Sequence, residues 1–190
     1  MCLSVDYGQR HQRELTAAAE VAKHFALPHL VLDLRTWGRL LTGSALTDPR
    51  MEVPQGHYAD PSMKVTVVPN RNAVLLMAAA GVAMTDGCNH VLTAVHSGDH
   101  PIYPDCRPEF IESAARTMWF GTDRAVRLEA PFLHLDKAAI VRLGSELGAP
   151  MHLSWSCYEG DDVHCGQCGT CVERREAFSL AGIPDPTTYR

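Results

Sequence analysis

Apolar residues along the chain alternate between short continuous runs and stretches of helical period. Residues 2–6 (CLSVD) read as a buried strand. A polar turn over 7–11 follows, and Leu15, Ala18, Ala19, Val21 and Ala22 then form one face of a helix predicted over 12–25, which Pro28 ends. Residues 29–34 read as a second strand, and a short helical segment is expected over 37–41. The stretch 42–70 is rich in Gly, Pro, Asp and Ser with little periodicity, which predicts a long loop of the functional or mobile kind. A small-residue-rich apolar helix over 70–84, buried against a sheet, comes next, then a strand over 90–95. Phe110, Ile111, Ala114, Ala115 and Met118 give one face to a helix over 109–119, with Pro108 suited to its first turn. A short strand over 127–131 and a helix over 137–147 complete the alternation; Asp136 is the expected N-cap, and Gly148 and Pro150 stop the helix. A last helix over 172–180 and a polar tail close the sequence.

Strands alternating with helices predict an α/β fold, a mostly parallel sheet with helices on both faces, as a single domain over 1–190. Ligands of such sheets sit beyond the carboxyl ends of the strands, which selects the loops after Asp6, Val95 and Ala130. Composition is ordinary for a globular protein, with 46% hydrophobic and 21% charged residues, so disorder is not expected. A net charge of −5 gives no global attraction to nucleic acid or acidic membranes and favours small-molecule chemistry. No apolar run is long enough to span a membrane, and the first residues lack the layout of a signal peptide. Cys2, Cys88 and Cys106 do not suggest a secreted disulfide framework, so the reducing cytoplasm is the expected compartment.

The sharpest chemical signal is Cys157-x7-Cys165-x2-Cys168-x2-Cys171. Four thiolates at this spacing match a closed tetrahedral zinc site, a knuckle over 157–171 that holds the fold and leaves no position for water. Gly160, Gly166 and Gly169 are expected to serve its tight turns. A redox Cys-x-x-Cys pair, an iron–sulfur ligand set and surplus thiols are the competing readings, and His152 or His164 could replace one ligand.

The segments DYGQRH, GSALTD, EVPQGHY, VVPNRN, HSGDH, YPDCRPEF, APFLHLDK and SWSCYEG precede and join this cluster in order. Together they resemble the 7-cyano-7-deazaguanine synthase family of queuosine biosynthesis, within the PP-loop ATP pyrophosphatase superfamily, over nearly the whole chain. The resemblance implies an adenine nucleotide alpha-hydrolase-like fold and an ATP-dependent C–N ligase that forms a nitrile. The carboxylate of 7-carboxy-7-deazaguanine is adenylated, ammonia attacks to give an amide, and a second activation permits dehydration. Zinc on the four cysteines, ATP with Mg, and a possible homodimer come with it.

Residue types suit that chemistry. Lys137, Arg71 and Asp99 are the expected catalytic group, and Asn70, Asn72, Asp105 and Arg107 the expected substrate contacts, because oxyanions need fixed cations and purine-like edges need paired donors and acceptors. Gln9 and Arg10 follow the strand on which the family lays its nucleotide. Plainer readings stand beside each: helix starts for Asn70 and Asn72, a turn for Asp99, an ion pair for Arg107, a first-turn lysine for Lys137, and a solvated turn for Gln9 and Arg10. Cys106 is expected to be a packed thiol, and His96 and His100 hydrogen-bonding residues in preference to bases.

The family's phosphate-binding segment, SGG-x-DS, is absent from these 190 residues. In the family it lies ahead of the segment matching Cys2, on a strand expected between 3–6 and 91–95. Its absence predicts unpaired backbone there and a polypeptide that cannot adenylate alone. Survival of every later motif favours a misplaced start over a true truncation or a loop supplied by a partner chain. A zinc-containing deazapurine- or RNA-binding module without catalysis is the alternative function.

Overall fold

Residues 2–6 form strand β1 (Cys2–Asp6), followed by α1 (Arg13–His24), β2 (His29–Asp33) and α2 (Arg35–Gly38). After a long segment come α3 (Arg71–Thr85), β3 (His90–Leu92), α4 (Pro108–Gly121), β4 (Arg127–Glu129), α5 (Lys137–Glu146) and α6 (Gly169–Ala181). The computed structural model describes residues 1–57, 61–159 and 162–190. They form two compact units, 1–68 with 138–190, and 69–137.

In the first unit β1 and β2 pair in parallel, with Leu3 opposite Leu30 and Val5 opposite Leu32. The crossover helix α1 packs against both strands. Ala26 takes a left-handed conformation just past α1 (φ 51°), and the Leu27 amide turns back to bond the Ala22 carbonyl at 2.9 Å. At α2, Gly38 lies so close to β1's end that an added Cβ would fall 1.7 Å from the Tyr7 carbonyl oxygen, so only glycine fits. Strand β2 ends where Asp33 and Arg35 pair; that bond holds the Asp33 carboxyl at about 2.

The long segment expected to be a loop is a packed part of this unit. Ser44, Ala45, Leu46, Met63, Thr66 and Val68 are buried in it, and a 3₁₀ helix occupies Pro61–Thr66. Polar side chains replace regular pairing: Ser44 Oγ accepts from the Leu46 amide and Thr47 Oγ1 donates to the Leu41 carbonyl. The absence of periodicity reflects irregular backbone, held among the described residues partly by such side-chain bonds. Tyr58 of the EVPQGHY segment lies outside the described residues.

In the second unit β3 and β4 pair in parallel, Val91 opposite Leu128, while α3 packs on α4 and β3. Both strands are shorter than predicted. Pro131 has no N–H to extend the ladder, and pairing stops after Thr93 donates to the Glu129 carbonyl at 2.9 Å. Helix α3, expected to be buried, buries Leu76, Ala80 and Ala83 and leaves Met84 exposed. Among the described residues β1 pairs only with β2 and β3 only with β4, all in parallel. No helix of the described residues is long and apolar enough to cross a membrane.

Candidate functional site

The cysteine cluster is assembled by the start of α6. This helix begins three residues earlier than the apolar pattern predicts, because Cys168 acts as its N-cap in extended conformation and its carbonyl accepts from the amides of Cys171 and Val172 at 2.9 and 3.0 Å. Gly169 is therefore the first helical residue and not a turn glycine. Gly166, at φ 74°, does serve a turn, between Cys165 and Cys168. Gly160 lies outside the described residues.

The four sulfurs all lie within 4.8 Å of one another, Cys165 and Cys171 at 4.0 Å. A tetrahedron with zinc–sulfur bonds of 2.3 Å has sulfurs about 3.8 Å apart, so the cage fits this ion. Backbone amides of Glu159 and Cys165 point at the Cys157 sulfur (3.4 Å each), and those of Gln167 and Cys168 at the Cys165 sulfur (3.4 and 3.3 Å). Such N–H groups stabilise negative thiolates around a cation. Crowding without a cation lets one thiol ionise at the expense of the rest. Hydrogen bonds from Cys157 and Cys171 pull Cys168 far below the thiol range, whereas the bond to Cys168 pushes Cys157 up to about 11 and those to Cys157 and Cys168 push Cys171 higher. A divalent ion would draw the proton from all four.

Among the described residues the metal-competent group contains cysteines only. His164, weighed as a ligand, is buried and serves the structure instead. Its Nε2 accepts from the Ser156 amide at 3.2 Å, and its ring lies 4.1 Å from that of Trp155. Burial, then the Arg174 charge, lower its pKa and keep it neutral, as an acceptor must be.

Gln9 and Arg10 also belong to the first unit. Gln9, 1% exposed, accepts from the Tyr7 amide and donates to the Val5 carbonyl and to Glu14 Oε1, closing the turn from β1 into α1. Arg10 donates to the carbonyls of Met51 and Pro49, at 3.0 and 3.1 Å. Sequence reading missed a buried network: Arg174 on α6 donates to Asp185 Oδ1 at 3.1 Å and to Ser154 Oγ at 2.7 Å. The expected polar tail is thus fixed to the unit. An arginine at the spacing of Ala177 and Phe178, on the buried stripe of α6, was the available signal.

The second unit gathers the other expected residues. Asn70 is left-handed (φ 56°) and its side chain does not cap α3. Asp105 does so from 33 residues away: its Oδ2 accepts from the Asn72 amide at 2.9 Å. Asn72 Nδ2 donates to the Asp105 carbonyl (3.0 Å) and to the Cys106 sulfur (3.2 Å), and Arg71 Nη2 donates to Asn72 Oδ1 (3.2 Å). Arg107 donates to the His100 carbonyl at 3.0 Å. His96 Nδ1 accepts from the Gly98 amide, leaving Nε2 to face Asp99 at 3.5 Å. Burial lowers the His96 pKa most, the Asp99 charge raises it, and the Lys137 and His100 charges lower it, so Lys137 acts on the same loop. Burial, then the charges of Asp99 and Asp105, push the Cys106 thiol up to about 12, so it stays protonated at neutral pH and is no nucleophile. Arg71, Asn72, Asp99, Asp105, Arg107 and Lys137 are thus tied to one loop system over 96–107.

A family model described as queuosine biosynthesis protein QueC matches residues 1–182. Proteins from Brucella canis, Brucella suis biovar 1 and Brucella ovis, each named 7-cyano-7-deazaguanine synthase, are 56% identical over 189 residues, 98% of this chain and 81% of theirs.

Proposed function

Because the chain belongs to the queuosine biosynthesis protein QueC family, we propose that it serves the ATP-dependent conversion of 7-carboxy-7-deazaguanine and ammonia to 7-cyano-7-deazaguanine. The observation that carries the reading is 56% identity over 98% of the chain to proteins of that name. The loop system over 96–107, with Arg71, Arg107 and Lys137 tied to it, and the four-cysteine cage of this chain support it.

In the proposed reaction the substrate carboxylate attacks the α-phosphorus of ATP, and pyrophosphate leaves. Ammonia adds to the acyl carbon, loses a proton and expels AMP to give the amide. The amide oxygen is adenylated by a second ATP, with loss of pyrophosphate. Departure of that oxygen with AMP and loss of the two N–H protons then give the nitrile. Two oxygens leave on AMP, so no covalent enzyme intermediate is required, in keeping with the protonated thiol at Cys106.

Arg71 and Lys137 take the role of fixed cations for the carboxylate and the developing oxyanion, with Asp99 orienting His96 beside them. Asn70 and Arg107 take the polar edge of the deazapurine. Asn72 and Asp105 contribute by fixing the wall of that loop and with the valences their mutual bonds leave. In the first unit Gln9 and Arg10 shape the turn assigned to the nucleotide, which enters with Mg. Zinc in the cysteine cage stabilises the fold and takes no part in the chemistry. The setting is cytoplasmic, the partners are small molecules and not nucleic acid, and the assembly admits a homodimer.

The 190 residues contain no SGG-x-DS segment, and we take them alone to be unable to adenylate. Calorimetric titration with 7-carboxy-7-deazaguanine should show binding, and tRNA should not compete; preference for tRNA would favour a binding module. Mass spectrometry should find no ATP-dependent nitrile with this polypeptide alone, and its detection would refute that part of the reading.

A further inference from the structure

The segment 183–190 follows α6, whose C-cap Gly182 is left-handed (φ 71°) and turns the chain back along the helix. Its first anchor is the Ile183 amide, bonded to the Phe178 carbonyl at 3.1 Å. Its second is Asp185, 13% exposed at its side chain, which accepts from Arg174 Nε at 3.1 Å and from the Thr187 amide at 3.0 Å. The third is Tyr189, whose hydroxyl donates to Asp185 Oδ2 and whose backbone forms a parallel bridge with His164. The Arg190 amide continues that bridge to the His164 carbonyl at 3.0 Å.

These anchors converge on the cysteine cage. The Tyr189 ring packs against the cluster of Cys157, Cys168 and Cys171, and a Cβ added to Gly166, in the turn between Cys165 and Cys168, would lie 3.5 Å from Tyr189 Cβ. Cys171 and Arg174 are three apart on α6 and so share a face: one offers a metal ligand, the other ties down the segment. Arg174 also holds the 151–156 loop through Ser154 Oγ and the Met151 carbonyl. A cavity of about 220 Å³ is lined by Trp155, His164 and residues 186–188 of the segment.

We propose that residues 183–190 form a strap that closes the metal cage and sets the rate at which the ion exchanges with solvent. The inference rests on the zinc reading above. An ion in a tetrathiolate cage leaves only when competing ligands displace its sulfurs; Cys165 is half-buried, and Cys157, Cys168 and Cys171 are buried behind the Cys165–Cys168 turn, so full release calls for that turn to open. Tyr189 lies along that turn, and Asp185 holds Tyr189. Neither residue is a ligand; both position the wall that a competing ligand must displace.

The test uses the full chain loaded with zinc and an excess of a chromogenic chelator, well below the melting temperature. Tyr189→Ala should release zinc about tenfold faster than the unsubstituted chain, the low end of the loss usual for groups behind metal ligands. Asp185→Asn and Tyr189→Phe, which keep the shape, should fall between the two while still binding one zinc per chain. Should Tyr189→Ala fail to fold, the other two still decide the matter. Release from all folded variants at the unsubstituted rate, with zinc bound, would overturn the strap alone. A chain that binds no zinc on titration would overturn the metal reading and the strap with it.

Discussion

The cysteine cage and the 96–107 loop use polar groups in opposite ways. The cage is local: its four ligands span fifteen residues, and amides of the same stretch point at two of the sulfurs. The loop is non-local: Asp105 caps a helix through the Asn72 amide, 33 residues earlier. A local site depends on one ion for its stability, whereas a non-local one spreads the load over several bonds of about 1 kcal/mol each. Removing one group should therefore be drastic in the cage and graded in the loop.

The largest effect is expected at Cys171→Ser. A tetrathiolate zinc site contributes binding free energy on the order of 10 kcal/mol, comparable with the whole stability of a domain, so loss of one ligand should unfold the first unit. Circular dichroism melts with zinc analysis check this; a variant that melts like the parent chain contradicts it. Next comes Asp105→Ala, which removes the α3 cap and leaves the Asn72 amide without its acceptor. A cost of about 1–2 kcal/mol is expected, with Asp105→Asn milder because it keeps an acceptor oxygen. Equal losses in the two variants, measured by denaturant midpoints, would show that the hydrogen bond is not what matters.

Chemical labelling should separate the regions further. Burial and acidic neighbours hold Cys106 protonated up to about pH 12, so iodoacetamide at pH 8 should leave it unmodified while Cys88 reacts. Peptide mapping that finds Cys106 labelled first would refute the packed-thiol account. The smallest effect concerns His96, whose pKa is lowered in the folded chain. The unfolded chain then binds more protons, so this contribution is full above pH 6.5 and is lost as pH falls through 6.5 toward the folded value. His96→Asn should flatten that slope in pH-dependent melts, and an unchanged slope would exclude His96 as its source.

The same contrast explains what could be read in the sequence. The Cys-x2-Cys spacing and the 3.6-residue and strand patterns are local, so the cage, α1, β1 and β2 were legible nearly to the residue. Helix α6 was misplaced at its start because a cysteine N-cap carries no cap signature. The segment 42–68 looked like a loop because Ser44 and Thr47 meet backbone partners that periodicity does not record. In the second unit the residue types pointed to polar chemistry, but the Asn72–Asp105 bonds are a product of the fold. Arg174 and Asp185, eleven residues apart, were hidden for the same reason.

Hydrogen–deuterium exchange with and without zinc removal tests the contrast most directly. If the cage holds the first unit by itself, chelation should strip protection from its helix over 13–24 as well as from 151–159 and 162–190, with release of one zinc per chain, and leave 71–85 and 108–121 protected. Protection lost evenly across the chain, or kept throughout after complete metal removal, would contradict a local metal clamp.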